Sequence, residues 1–513
     1  MAAVESIPCP DADKAEPHSI FDKRQKALIV FIAATAATFS GFASNIYFPA
    51  LATVARDLDV SVELVNLTVT SYLIFQGIAP SLWGPLSDAR GRRVAYCCTF
   101  LVFLGACVGL AETRNYAVLL VLRSLQSSGS ASTIAVGAAV IGDITTQEER
   151  GGYMGIFQAG LLAPVAVGPV IGGALAASLG WRAIFWFLTI YSGVFLVFLI
   201  IILPETLRSV VGNGGARPSN PIARYPLNFY QKTTKVKFTA QAQSVHAPKK
   251  TKIDIAGPIR ILFSKQAAPL VAFLGIYYAV WQMSITAMAV LFEERYGLSE
   301  TQIGLTFIAN GAGSIVGTLV TGKILDIDYR RVKAKHESAL AQGGPGIGVE
   351  RISQMQYDNA SFPLEKARLR LLPILALFQC ASILAFGWTI QSRVHYAVPI
   401  VTTFITGWTV VSITSVITTY LIDIFPGSKA ASSASVNLAR CLLAAGGTSI
   451  VTPIINAVGI GWTFTITVAV QIIALVGVAI QWRFGGKWRM EANEAKKQNA
   501  TGVNVTADRL GNE

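Results

Sequence analysis

Twelve long apolar runs separated by polar breaks fall near residues 27–48, 64–86, 94–111, 117–141, 152–177, 183–203, 268–292, 301–325, 371–391, 397–422, 431–457 and 463–482. Each is close to the roughly 20 residues that an α-helix needs to cross the hydrocarbon core of a bilayer. The apolar residues are continuous rather than alternating, unlike the strands of a membrane β-barrel. A backbone in lipid must satisfy its own N–H and C=O groups, so each run is predicted as a helix. The expected fold is an all-α membrane protein with twelve transmembrane helices in two six-helix bundles. The expected organisation is an N-terminal tail (1–26), a first bundle (27–203), a linker loop (204–267), a second bundle (268–482) and a C-terminal tail (483–513).

Composition agrees. Of the 513 residues, 14% are charged and 52% hydrophobic, where a soluble domain carries about 25% charged residues. The mean hydropathy is +0.51. These values exclude a soluble enzyme, a secreted disulfide scaffold and a disordered chain. Five of the six cysteines lie in apolar runs and read as small buried hydrophobes. The first 25 residues are polar and acidic, which does not fit a cleavable signal peptide.

The net charge of +13 matters through its distribution. The stretch 204–267 holds 11 basic and 2 acidic residues. With the N-terminus in the cytosol, cytosolic segments carry 35 of the 42 Lys and Arg, and outer loops carry five. The positive-inside rule therefore predicts cytosolic N- and C-termini. It also makes the charge topogenic, with no call for a nucleic-acid partner.

The two sets of six runs carry matching fragments. Gly84-Pro85-Leu86-Ser87-Asp88-Ala89-Arg90-Gly91-Arg92-Arg93 follows the second run, and Gly322 to Arg331, with Asp326 and an Arg pair, follows the eighth. The fourth run ends in Gly142-Asp143-Ile144 and the tenth in Ile422-Asp423-Ile424. Weak repeats between two halves are the mark of a two-bundle transporter. In the loop after the second run, Asp88 is placed to pair with arginines or to cap a helix N-terminus across a bundle interface. Such a cluster can latch one conformation and release another. Ordinary flanking charge explains Arg90, Arg92 and Arg93, but not Asp88 with the glycines.

This loop resembles the hallmark motif of the major facilitator superfamily, in which it controls the conformational switch; Gly84, Asp88, Arg92, Arg93 and Asp326 are its members here. Gly168-Pro169-Val170-Ile171-Gly172-Gly173 resembles the antiporter signature of that family's drug-efflux members, although position 164 of the longer pattern holds Pro164. Small residues there also serve helix packing. Leu122-Arg123-Ser124-Leu125-Gln126 resembles the family's membrane-arginine motif. Ser44-Asn45-Ile46-Tyr47-Phe48-Pro49, Phe185-Trp186-Phe187 and Leu203-Pro204-Glu205-Thr206-Leu207-Arg208 resemble the fungal twelve-helix drug:proton antiporters, especially the quinidine-resistance branch. Asn437-Leu438-Ala439-Arg440-Cys441 is similar to the fungal citrate exporters. The resemblance implies a plasma-membrane efflux transporter working by alternating access.

None of the 29 Asp and Glu falls well inside a run, whereas Arg123 and Arg440 do. Charges inside a membrane are expensive and mark functional sites by default. Two arginines without a carboxylate call for an anion, which guanidinium binds bidentately. Arg123 and Arg440 are thus the candidate substrate-binding cations, expected to face each other across a central cavity. Gln126, Asn437, Gln158 and Asn45 are candidate helpers, although each alone also fits a helix–helix hydrogen bond. Asp143 and Asp423, at helix ends, are the candidates for proton coupling; facilitated efflux of an anion is the other possibility. The expected partners are a small anionic substrate, protons and the bilayer, with a monomeric chain. No cofactor, metal or enzyme motif is present in the sequence. The alternative within transport is a multidrug or secondary-metabolite proton antiporter.

Overall fold

The computed structural model describes residues 18–216, 225–236, 257–341, 364–425 and 429–510. Twelve long helices carry the fold: α1 (Lys23–Asn45), α2 (Val62–Arg90), α3 (Arg92–Glu112), α4 (Tyr116–Ile144), α5 (Gln147–Leu179), α6 (Arg182–Ile202), α7 (Ala268–Tyr296), α8 (Glu300–Ala341), α9 (Leu372–Gln391), α10 (Ala397–Ile424), α11 (Lys429–Val458) and α12 (Ile460–Leu510). Side-chain caps set several of the starts. Asp22 accepts from the backbone of Arg24 and Gln25 before α1, and Asn115 and Thr146 do the same before α4 and α5.

Eleven of these helices are long and apolar enough to cross a membrane. The exception is α4, whose apolar run is diluted by Arg123, Gln126, Ser127, Ser130, Ser132 and Thr133. All six are buried, because α4 packs among α1, α2 and α3. The least apolar helix can thus sit in a bilayer by showing its polar face to protein. In contrast, α6 exposes Ile190, Val194, Val197 and Ile201, the stripe expected of a lipid-facing surface.

Four helix pairings recur in the two sets of six. α1 packs on α5, α2 on α4, α3 on α4 and α3 on α6; α7 packs on α11, α8 on α10, α9 on α10 and α9 on α12. The faint sequence repeat is therefore a repeat of packing. Between the halves, α2 meets α11 and α5 meets α8.

Candidate functional site

The two seams between the halves are closed along one part and open along the other. On α2 and α11, Asn456 donates to Glu63 at 3.0 Å, Asn66 to Thr452 at 2.9 Å, and Thr70 and Thr448 share a bond of 3.0 Å. The last contacts lie near mid-helix, where Asn437 Nδ2 donates to the Gln76 carbonyl at 3.1 Å and Gly77 abuts Cys441. Beyond them, Gly84 has nothing near it. The seam of α5 and α8 runs the same way. Gly173 abuts the Glu300 backbone, Pro169 abuts Gly304 and Ala166 abuts Gly311. Positions 173, 169, 166, 162, 158, 155 and 151 lie on one helical face. Down that face Gln158, Gly155 and Gly151 are exposed, as are Ile315 and Gly322 on α8. The space between the halves therefore opens at the ends where α2 leads into α3 and α4 into α5.

Close packing explains the Gly168-Pro169…Gly172-Gly173 segment. A Cβ at Gly172 would collide with the carbonyl of Ile46, the C-cap of α1, and one at Gly173 with the Glu300 carbonyl. The segment clamps α1 and α8 at the closed end.

The two arginines sit in different surroundings. Arg123 is 1% exposed. Its Nη1 donates to the Ala43 carbonyl at 3.1 Å and to Gln126 Oε1 at 2.6 Å. Its guanidinium lies between the rings of Tyr47 and Tyr72, 4.5 Å from each centroid. All these partners belong to the first half, so the charge is dispersed over two π faces. Gln126 completes the cage by donating to Cys107, and Asn45 is tied to Gly41 of its own helix at 2.8 Å.

Arg440 differs. It is half-buried, held by Asn437 Oδ1 at 2.8 and 3.1 Å and lying 4.9 Å from the Tyr278 ring centroid. No ion pair to it occurs among the described residues. Trp281, one turn from Tyr278, donates to buried Asn310 at 3.0 Å. Arg440 lies near the middle of α11, where the seam begins to open. A guanidinium that neutral partners hold and no carboxylate neutralises has donors suited to a carboxylate.

At the open end, Arg92 is the hub of the hallmark loop. It pairs with Asp88 and, at 2.9 Å, with Asp143, and it donates to Ser87 at 2.8 Å. Asp88 remains 64% exposed. In the second half Arg368 pairs with Asp423 at 2.9 Å and stacks over Tyr329. The acids that end α4 and α10 thus both hold an arginine just ahead of or at the start of the third helix of their half. Asp326 lies in α8, and its side chain is outside the described residues.

One residue central to this network was quoted in the sequence only for its resemblance. The Glu205 carboxylate, 1% exposed, accepts from the backbone of Arg92, Arg93, Thr206 and Leu207 at 2.9, 3.2, 3.0 and 3.0 Å. It caps α3 from the end of α6. Arg93 reaches back to the carbonyls of Ile200 at 2.5 Å and Tyr225 at 3.4 Å. Gly91, at φ +111°, is needed because any Cβ there would strike the Glu205 carboxylate. The available signal was a lone acid directly after a long apolar helix.

The comparisons with known proteins agree with this geometry. The family model described as Major Facilitator Superfamily matches residues 33–341. Citrate exporter 1 of Aspergillus niger is 38% identical over 95% of this chain and 91% of its own length. Multidrug transporter QDR2 of Candida glabrata is 36% identical over 85% of this chain and 76% of its own. Among solved structures, the human organic anion transporter MFSD10 (TETRAN) matches 89% of this chain and 99% of its own with a TM-score of 0.54 at 15% identity, a likeness of fold. The chain belongs to the major facilitator superfamily, as a multi-pass membrane transporter of small molecules and not an enzyme.

Proposed function

We propose that this chain exports a small organic anion of the citrate class across the plasma membrane, with both termini in the cytosol and as a monomer. The observation that carries the reading is Arg440: a half-buried arginine near the middle of α11, held by Asn437 and Tyr278 and without a carboxylate among the described residues. Its similarity to a citrate exporter over nearly the whole chain supports the same reading. The open end then faces the cytosol, and the cavity is poised to load. Arg123 takes a different role from that expected. Caged by Tyr47 and Tyr72, it braces α1, α2 and α4.

The substrate's charge supplies the driving force. A cytosol-negative potential pushes an anion outward by about 2.3 kcal/mol per charge per 100 mV. Asp143 and Asp423 both sit in ion pairs with arginines, and facilitated efflux requires no titrating acid. The second reading, multidrug export, draws on the aromatic pair Tyr278 and Trp281 beside Arg440 and on the similarity to a multidrug transporter.

Efflux of labelled citrate and of a lipophilic cation, normalised to surface protein, separates the two. Arg440→Gln should abolish citrate export and spare the cation, and Arg440→Lys should retain part of it, because Lys keeps the charge but loses the fork. Equal loss of both substrates would overturn the anion site.

A further inference from the structure

At the open end of the first half, a patch of cations lies beside exposed aromatic residues and next to the lipid-facing surface. Gln25 of α1 donates to the Tyr230 carbonyl at 3.1 Å and to Thr233 Oγ1 at 3.0 Å, and Thr234 donates to the Ile20 carbonyl at 2.6 Å. These bonds fix the short linker helix Leu227–Thr233 onto the start of α1, with Phe21 edge-on to Tyr230. They gather Lys23, Arg24, Lys232 and Lys235, all exposed. None of the four forms an ion pair among the described residues.

Two of these cations sit at a helix N-terminus. Lys23 and Arg24 occupy the first turn of α1, which contains no acidic residue. The helix dipole disfavours cations there, and the adjacent carboxylate, the N-cap Asp22, accepts from the backbone of Arg24 and Gln25 and forms no ion pair with either cation among the described residues. Arg24 also shares a helix face with Leu28 and Phe31, which are exposed as lipid-facing residues are.

The aromatic residues sit at the same edge. Tyr225 and Phe229 are 65% and 67% exposed. Arg93 binds the carbonyls of both Tyr225 and Ile200, which places Tyr225 beside the last turn of α6, where Ile200 and Ile201 face outward. α6 and α1 are neighbours through Thr38–Tyr191 and Phe39–Phe195. Aromatic side chains at the end of a lipid-facing stripe, flanked by unpaired cations, match the headgroup layer of a bilayer.

From this juxtaposition we infer that Lys23, Arg24, Lys232 and Lys235, with Tyr225 and Phe229, form a binding site for the headgroup of an anionic phospholipid. The phosphate and carboxylate of the lipid meet the four cations, and its acyl chains run down the outward stripes of α1 and α6. The continuity with these stripes selects a lipid over a soluble phosphate.

The test is lipid retention. Full-length protein is reconstituted in vesicles of phosphatidylcholine with a minority of phosphatidylserine, extracted in mild detergent, and its bound lipids quantified by mass spectrometry. Both leaflets have the same composition, so the outcome is independent of orientation and of the transported substrate. Wild-type protein should be enriched in phosphatidylserine over the bulk. One cation near an anionic surface is worth about fivefold in partitioning, so the quadruple variant Lys23→Gln, Arg24→Gln, Lys232→Gln, Lys235→Gln should lose at least about tenfold of that enrichment. Phe229→Ser with Tyr225→Ser should lose less. If the quadruple variant fails to fold, Lys232→Gln with Lys235→Gln, confined to the linker, replaces it with a smaller loss, at most about 25-fold at fivefold per cation. Absence of enrichment in wild type, its retention in the cation variants, or equal displacement by soluble glycerophosphoserine would overturn the site. So would photocrosslinking from position 229 in cells that captures a second copy or another protein in place of lipid.

Discussion

Removing the Glu205 carboxylate should destabilise the first half more than any other single change at its open end. Glu205→Ala leaves the backbone N–H groups of Arg92, Arg93, Thr206 and Leu207 without their acceptor in a site where the side chain is 1% exposed. A hydrogen bond to a charged group contributes about 1.5–3 kcal/mol, and losing a helix cap costs about 0.5–2 kcal/mol. The four bonds share one carboxylate and are not additive, and water will reach some freed donors. The expected cost is therefore about 3–5 kcal/mol, less than the sum of the parts. In detergent this should lower the apparent melting temperature by roughly 5–10 °C. Glu205→Gln keeps one acceptor oxygen and should fall between. Gly91→Ala should mimic Glu205→Ala, because the new Cβ displaces the carboxylate and the backbone at φ +111° strains any side chain. The assay is thermal aggregation of the solubilised protein read by size-exclusion chromatography. A melting temperature for Glu205→Ala within a degree of wild type would refute the capping argument.

Three further outcomes follow from the same geometry. Asp88→Asn should leave folding and expression unchanged and slow turnover severalfold for every substrate; wild-type turnover would reduce the loop to topogenic charge. Arg123→Gln removes a cation held between Tyr47 and Tyr72 and leaves Gln126 and the Ala43 carbonyl without a donor, so surface expression should fall and the remaining protein should lose citrate and cation export alike; selective loss of citrate would restore Arg123 to the substrate site. Gly155→Cys and Gly84→Cys, in a background free of other reactive cysteines, should react with an impermeant maleimide only from the cytosolic side, and labelling of intact cells from outside would reverse the orientation.

The helices and their count were legible because a spanning helix announces itself by length and apolarity, both local properties. α4 shows the limit of that signal. Its run is readable as a helix, yet Arg123, Gln126 and the serines make it too polar to pass on apolarity alone, and only packing against α1, α2 and α3 makes it fit a bilayer. The hallmark loop was legible as a charged cluster, and Arg92 does gather Asp88. Its second partner, Asp143, lies 51 residues further on, and no local pattern pairs them. The two deep arginines looked equivalent by composition. Their difference is tertiary: two tyrosines from α1 and α2 enclose one, while the other stands where the seam parts.

The distribution of polar contacts bears on how such a molecule can switch. The ion pairs of Arg92 with Asp143 and Arg368 with Asp423 lie within single halves, so a rocking motion carries them along unbroken. The contacts that join the halves at the closed end are weaker in kind. Arg56 meets Glu293 at 3.1 Å with its side chain 64% exposed, Thr53 donates to Glu300, and Asn456 donates to Glu63. Exposed ion pairs contribute about 0–1 kcal/mol, and a hydrogen bond to a carboxylate reaches about 1.5–3 kcal/mol before water competes for it. The rest of that junction is glycine-lined close packing at Gly173, Gly304 and Gly311, whose dispersion contacts fall off steeply once the helices separate. In the proposed cycle, opening this end therefore costs a modest free energy, to be offset by closing the other. Among the described residues Asp88 pairs with Arg92 of its own half, and in the proposed cycle the closing motion would bring α11 towards it. A negative charge there, facing the N-terminal turn of α11, would favour the cytosol-closed state through the helix dipole by about 0.3–1 kcal/mol or more if dehydrated. That is the range in which one residue shifts the balance between two conformations of similar energy without freezing either.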